Sequence, residues 1–101
     1  MLNAARWRAE QKGLPFDLTK QWVLDRISRC EVTGLALSME PMPGSRQNPF
    51  GPSLDRKDCA KGYTTENTRV VAWGLNCALS DFGEEAFRKI ALAYVRAAGL
   101  T

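Results

Sequence analysis

The apolar residues Phe87, Ile90, Ala91 and Tyr94 recur at i, i+3, i+4 and i+7, the stripe of an amphipathic helix that ends at Gly99. Such a stripe ordinarily packs on a core. Asp81 with Glu84, or Ser80 with the Gly83-Glu84 pair behind it, supplies a capping box at its start. A second helical spacing joins Trp22 or Val23 to Ile27 and Cys30. It predicts a helix from about Thr19 to Arg29, capped by Asp17 or Thr19. Residues 3–12 form a first helix between Asn3, a suitable N-cap, and Gly13, a suitable stop.

The middle of the chain changes period. Ser53–Arg56 and Thr68–Ala72 read as two strands, with Val70 and Val71 supplying β-branched bulk. The connection over residues 57–66 is a long turn with Gly62 at its bend, and Trp73 to about Leu79 is a helix. Trp73 and Leu75 seat that helix on the hairpin. Leu35-Ala36-Leu37 fits a short strand after the reversal at Gly34. Pro15 forces Leu14 out of helical conformation, so Leu14-Pro15-Phe16 is an extended linker, with Phe16 plugging the core. Residues 38–52 carry Pro41, Pro43, Gly44, Pro49, Gly51 and Pro52, too much punctuation for regular structure. Arg46 and Gln47 are the polar contacts that loop offers.

These elements make a small single α+β domain over residues 1–101. N-terminal helices occupy 1–34, a long loop 35–52, a central ββα unit 53–79 and a C-terminal helix 80–99. Apolar residues at 45% and charged residues at 25% fit a soluble globular chain rather than a disordered one. No apolar run reaches the ~20 residues of a membrane span, and the N-terminus lacks a signal-peptide core. The expected setting is cytoplasmic. The net charge of +3 is compatible with a polyanion without requiring one.

Cys30, Cys59 and Cys77 are isolated thiols in a chain without histidine. A structural zinc site normally takes four Cys or His ligands, so no protein-only zinc site is expected. Reduced thiols are the simplest reading, with Cys30 and Cys77 buried.

The candidate chemistry lies in Ser53-Leu54-Asp55-Arg56-Lys57-Asp58, Lys61-Gly62-Tyr63-Thr64, Asn67 and Asn76. Asp55 ends the first strand and Asn76 lies one or two turns into the helix. The order strand, turn, strand, helix brings a carboxylate and an amide oxygen together, hard ligands suited to Mg²⁺ or Mn²⁺. Arg56, Lys57, Lys61 and Arg69 make the hairpin end positive and able to hold phosphates. Tyr63 either stacks on a base or sugar or packs on the hairpin.

With those residues in that order, the chain resembles the HNH, or ββα-metal, nucleases, in the degenerate form common in phage and prophage proteins. The resemblance covers residues 53–79. Cys30-Glu31-Val32-Thr33-Gly34 also looks like the start of a half zinc finger whose partner cysteine is absent. It implies that Asp55 and Asn76 ligate the metal and that Asn67 ties the turn together. Arg56 stands where the family has its histidine. A guanidinium stays protonated near neutral pH and cannot be a general base, although it can clamp a phosphate. Three routes stay open: Asp58 activates water, metal-bound hydroxide attacks without a protein base, or the fold binds without catalysis. The first two describe a phage-type endonuclease or nickase acting on DNA. The third describes a nuclease-like module that binds nucleic acid, or a protein such as a host defence or packaging factor.

Overall fold

The computed structural model describes residues 1–44 and 47–100. Arg46 therefore lies outside the described residues. Helix α1 (Leu2–Lys12) and the short helix α2 (Lys20–Leu24) precede strands β1 (Pro52–Arg56) and β2 (Thr68–Ala72), and helices α3 (Trp73–Leu79) and α4 (Gly83–Ala97) close the chain. β1 and β2 pair antiparallel in a two-stranded sheet, with Pro52 opposite Ala72 and Arg56 opposite Thr68. The result is a small α+β fold in which an antiparallel hairpin runs directly into a helix.

Adjacent residues of a strand face opposite sides of its sheet. Val70 and Val71 are nonetheless both fully buried, so the hairpin is covered on both faces. Val70 joins Ala5, Ala9, Leu18, Val23, Leu54 and Tyr63 in one cluster, under α1 and α2. Val71 joins Cys30, Ala72, Leu75 and Leu79 in the other, under α3. α1 reaches the first cluster through Ala5 and Ala9, one turn apart, whose small side chains let its backbone come close. It stops at Gly13, left-handed at φ 65°, where glycine carries no Cβ penalty.

Several expected elements are trimmed. Met1, not Asn3, stands at the N-cap of α1. Thr19 does cap α2, its hydroxyl accepting from the Trp22 N–H at 3.1 Å. That helix ends at Leu24 rather than Arg29, because the Arg26 N–H turns back to the Val23 carbonyl and tightens the last turn. The expected strand at 35–37 shrinks to a single bridge between Arg29 and Ala36. It closes a turn in which Gly34 takes φ 75°. Neither Ser80 nor Asp81 caps α4, which starts at Gly83 without a side-chain cap. Ser80 instead ends α3 at φ 44°.

α4 departs furthest from expectation. Its stripe does not enter the core: none of its residues is buried, and Ile90 and Tyr94 are each 69% exposed. Phe87 alone of the stripe packs against the second cluster, half-buried. Cys30 is buried as expected, whereas Cys77, on the outer side of α3, is exposed. No helix among the described residues is long and apolar enough to cross a membrane.

Candidate functional site

The turn between β1 and β2 is built around Asn67. Its Oδ1 accepts from the Asp58 N–H at 3.0 Å. Its Nδ2 donates to the carbonyls of Asp58 at 3.1 Å and Gly62 at 2.8 Å. Asn67 is buried, so these bonds replace the water its amide loses. Through them Asn67 joins residues 58 and 62 of the turn to the start of β2.

Gly62 matters for a reason the sequence does not display. Its φ is not positive; instead a Cβ there would lie 2.0 Å from the Pro15 carbonyl oxygen. That close approach lets the linker zip onto the turn. The Tyr63 N–H donates to Pro15 at 3.1 Å and the Asp17 N–H donates to the Tyr63 carbonyl at 3.1 Å.

Docked this way, Tyr63 is core, only 4% exposed. The packing alternative holds, and the ring is too enclosed to stack on a base. Its hydroxyl accepts from Arg8 Nε at 3.1 Å. The guanidinium carbons of Arg8 and Arg56 lie 5.5 and 4.9 Å from its ring centroid, within cation–π range.

Asp55 and Arg69 are cross-strand partners, and the Arg69 Nε lies 2.7 Å from Asp55 Oδ2. Arg69 Nη1 continues to Glu84 on α4 at 3.0 Å, and Glu84 reaches Arg88 at 3.3 Å. Burial alone would lower the Arg69 pKa. The hydrogen bond and charge of Asp55, with Glu84 behind them, outweigh burial and hold it above the ordinary arginine value. Arg69, expected from the sequence to meet a phosphate, thus has two carboxylate partners within the protein.

Asn76 is oriented by β1, donating its Nδ2 hydrogens to Ser53 Oγ at 2.7 Å and the Leu54 carbonyl at 3.2 Å. That leaves Oδ1 as its remaining polar atom. Asp58, the alternative water activator, spends Oδ1 on the Ala60 N–H at 2.9 Å within its own turn.

The cavities sort the candidates. One of about 580 Å³ is walled by Asp55, Arg56, Tyr63 and Asn76, together with Ser53 and Arg8. Lys57, Asp58 and Arg69 do not reach it. They line a neighbouring cavity of about 680 Å³, to which Asp55 and Arg56 also contribute. Lys61 lies at a third, beside Leu14 and Pro15. Arg8 stands outside the motif; in the sequence it belongs, with Arg6 and Lys12, to a first helix whose basic residues outnumber its one acid, Glu10.

Asp55 and Asn76 thus share a wall. The Asp55 charge is already matched by Arg69. No group of three or more Asp, Glu, Cys or His among the described residues is arranged to hold an ion.

The fold has a solved counterpart. The rare-cutting HNH restriction endonuclease PacI, described for its mechanism of DNA perturbation, superposes with a TM-score of 0.61 at 18% identity. The match covers 95% of this chain and 74% of that one. At this identity the likeness speaks for an HNH-like fold. No family model and no curated protein matches the chain.

Proposed function

We propose that this chain is a nucleic-acid-binding module on an HNH-like nuclease fold, gripping the phosphodiester backbone at the mouth of its hairpin. The observation that carries the reading is the Asp55–Arg69 pair. A guanidinium 2.7 Å from the carboxylate supplies the positive charge a metal would bring. Arg56, beside that pair and without a carboxylate partner among the described residues, is the cation left to meet a phosphate. Lys57 and Lys61 flank it on the same turn and are exposed. The likeness to an HNH restriction endonuclease that perturbs DNA supports DNA as the polymer.

Three cations on the turn imply weak, salt-sensitive binding, with a log–log salt slope of roughly −3. Fluorescence anisotropy of a labelled duplex across a salt series tests this. Binding that ignores salt would point to a protein partner instead.

A second reading, metal-dependent hydrolysis, is favoured by one observation: Asp55 and Asn76 wall the same cavity. It requires Arg69 to yield Asp55 to Mg²⁺ or Mn²⁺. Plasmid nicking with Mg²⁺, Mn²⁺ or EDTA, beside Asp55→Ala, separates the two. The binding module leaves the plasmid supercoiled in every condition. Mn²⁺-dependent nicking that Asp55→Ala removes establishes hydrolysis. Arg56→His, which restores the family's base, then raises the rate.

A further inference from the structure

We infer that Arg8 and Arg56, brought together from α1 and β1 around Tyr63, form a two-guanidinium clamp for a phosphate group. Arg8 becomes a binding residue on an element outside the hairpin. The inference rests on the nucleic-acid reading above and extends it to the N-terminal helix.

Three observations carry it. First, both guanidinium groups stand at the same cavity of about 580 Å³, and both lie within 5.5 Å of one ring centroid. Second, neither has a carboxylate partner among the described residues. Arg26 pairs with Glu31, and Arg69 and Arg88 pair with Glu84. Asp81 also lines the cavity but bridges neither arginine. Two cations lining one cavity make it positive, and an anion there is attracted by both. Third, each is held by neutral atoms that leave most of its donors unspent. Arg8 gives Nε to the Tyr63 hydroxyl at 3.1 Å and keeps both Nη groups. Arg56 gives Nη1 to the Lys61 carbonyl at 3.3 Å and keeps Nε and Nη2.

Tyr63 is the reason the pair is ordered. A buried ring on a backbone held by Pro15 and Asp17 gives both arginines a flat surface to pack on, so less side-chain freedom is lost when an anion arrives. A bidentate fork from each side suits the tetrahedral oxygens of a phosphate better than a point charge does.

The test uses the full chain and two phosphate sources. A fluorescein-labelled duplex is titrated across a salt series. Inorganic phosphate is titrated separately at matched ionic strength, read by thermal stabilisation. Arg8→Ala should weaken duplex binding on the order of tenfold and reduce the salt slope by about one. Arg8→Lys should restore the slope but not the full affinity, because one ammonium cannot fork. Tyr63→Phe, which removes the Nε anchor, should give a smaller loss. Arg96→Ala, at the far end of α4, should change nothing beyond its own distant charge.

If the wild-type chain binds the duplex and Arg8→Ala binds with the same affinity and slope, the clamp is wrong and the nucleic-acid reading survives. If the duplex does not bind but inorganic phosphate stabilises the wild type and not Arg8→Ala, the clamp stands as a free-phosphate site and the nucleic-acid reading falls. No response to either phosphate source overturns both.

Discussion

Arg69 closes on Asp55 across the ladder, Nε to Oδ2 at 2.7 Å, while its other end is tethered to Glu84 of α4. The carboxylate that the family resemblance assigns to a metal thus carries a built-in cation. Because that cation is anchored on both sides, a soluble divalent ion must break two contacts to replace it.

Arg69→Gln should therefore raise Mn²⁺ affinity, measured by electron paramagnetic resonance of the free ion. Asp55→Asn in the same background should remove the gain. Removing Arg69 leaves the buried Asp55 carboxylate without its cation and Glu84 with Arg88 only, whereas removing Asp55 leaves Arg69 its bond to Glu84. Arg69→Ala should consequently cost more stability than Asp55→Ala, within about 1–3 kcal/mol each in urea melts. The double variant should cost less than the sum of the two. Equal single costs that simply add would show that the pair is not coupled.

Asn67→Ala should destabilise the chain by about 2–3 kcal/mol, since it leaves the Asp58 N–H and the carbonyls of Asp58 and Gly62 without their partner. Asn67→Asp should be worse despite its similar shape. A carboxylate cannot donate, and it would face two carbonyl oxygens in a buried site. Thermal melts that rank the aspartate variant above the alanine one would contradict the donor roles described for Nδ2.

Gly62→Ala adds a methyl where the Pro15 carbonyl oxygen already lies 2.0 Å away from its position. The linker must then lift off the turn, at about 1–3 kcal/mol or more. The sharper readout is local. The amide of Tyr63, bonded to Pro15, should lose protection from hydrogen exchange while the β1–β2 amides keep theirs.

The thiols offer a test without mutation. Cys59 and Cys77 are exposed and Cys30 is 2% exposed. Under native conditions a thiol reagent should modify Cys59 and Cys77 promptly and Cys30 only on unfolding, as peptide mapping after alkylation would show. Prompt labelling of Cys30 would mean that the cluster around Val71 opens freely.

What could be read from the sequence depended on the span of each contact. β2 and α3 begin and end where the β-branched run and the Trp73 segment place them, because short-range patterning defines both. The strand limits also imply the Asp55–Arg69 pairing, since setting Arg56 against Thr68 puts Asp55 against Arg69. Arg8 and Tyr63 are a different case. They are 55 positions apart, and nothing periodic connects an α1 arginine to a turn tyrosine. Gly62 resembled a bend glycine, yet its requirement comes from Pro15, far back in the chain. The 87-90-91-94 stripe correctly marked a helix, but periodicity alone does not say whether an apolar face meets the rest of the fold.

α4 is fastened to the domain by Phe87 and by the Glu84–Arg69 ion pair, both near its first turns, and it buries no residue. A helix secured at one end frays from the other. The amides from about Ile90 to Ala97 should therefore exchange faster than those of the hairpin, as hydrogen exchange would show. Part of what holds the fastened end is electrostatic, so ionic strength loosens it while the hydrophobic clusters stay shut. Salt thereby becomes a handle on the last helix alone, one that releases Glu84 from Arg69 without unfolding the strands that carry Asp55.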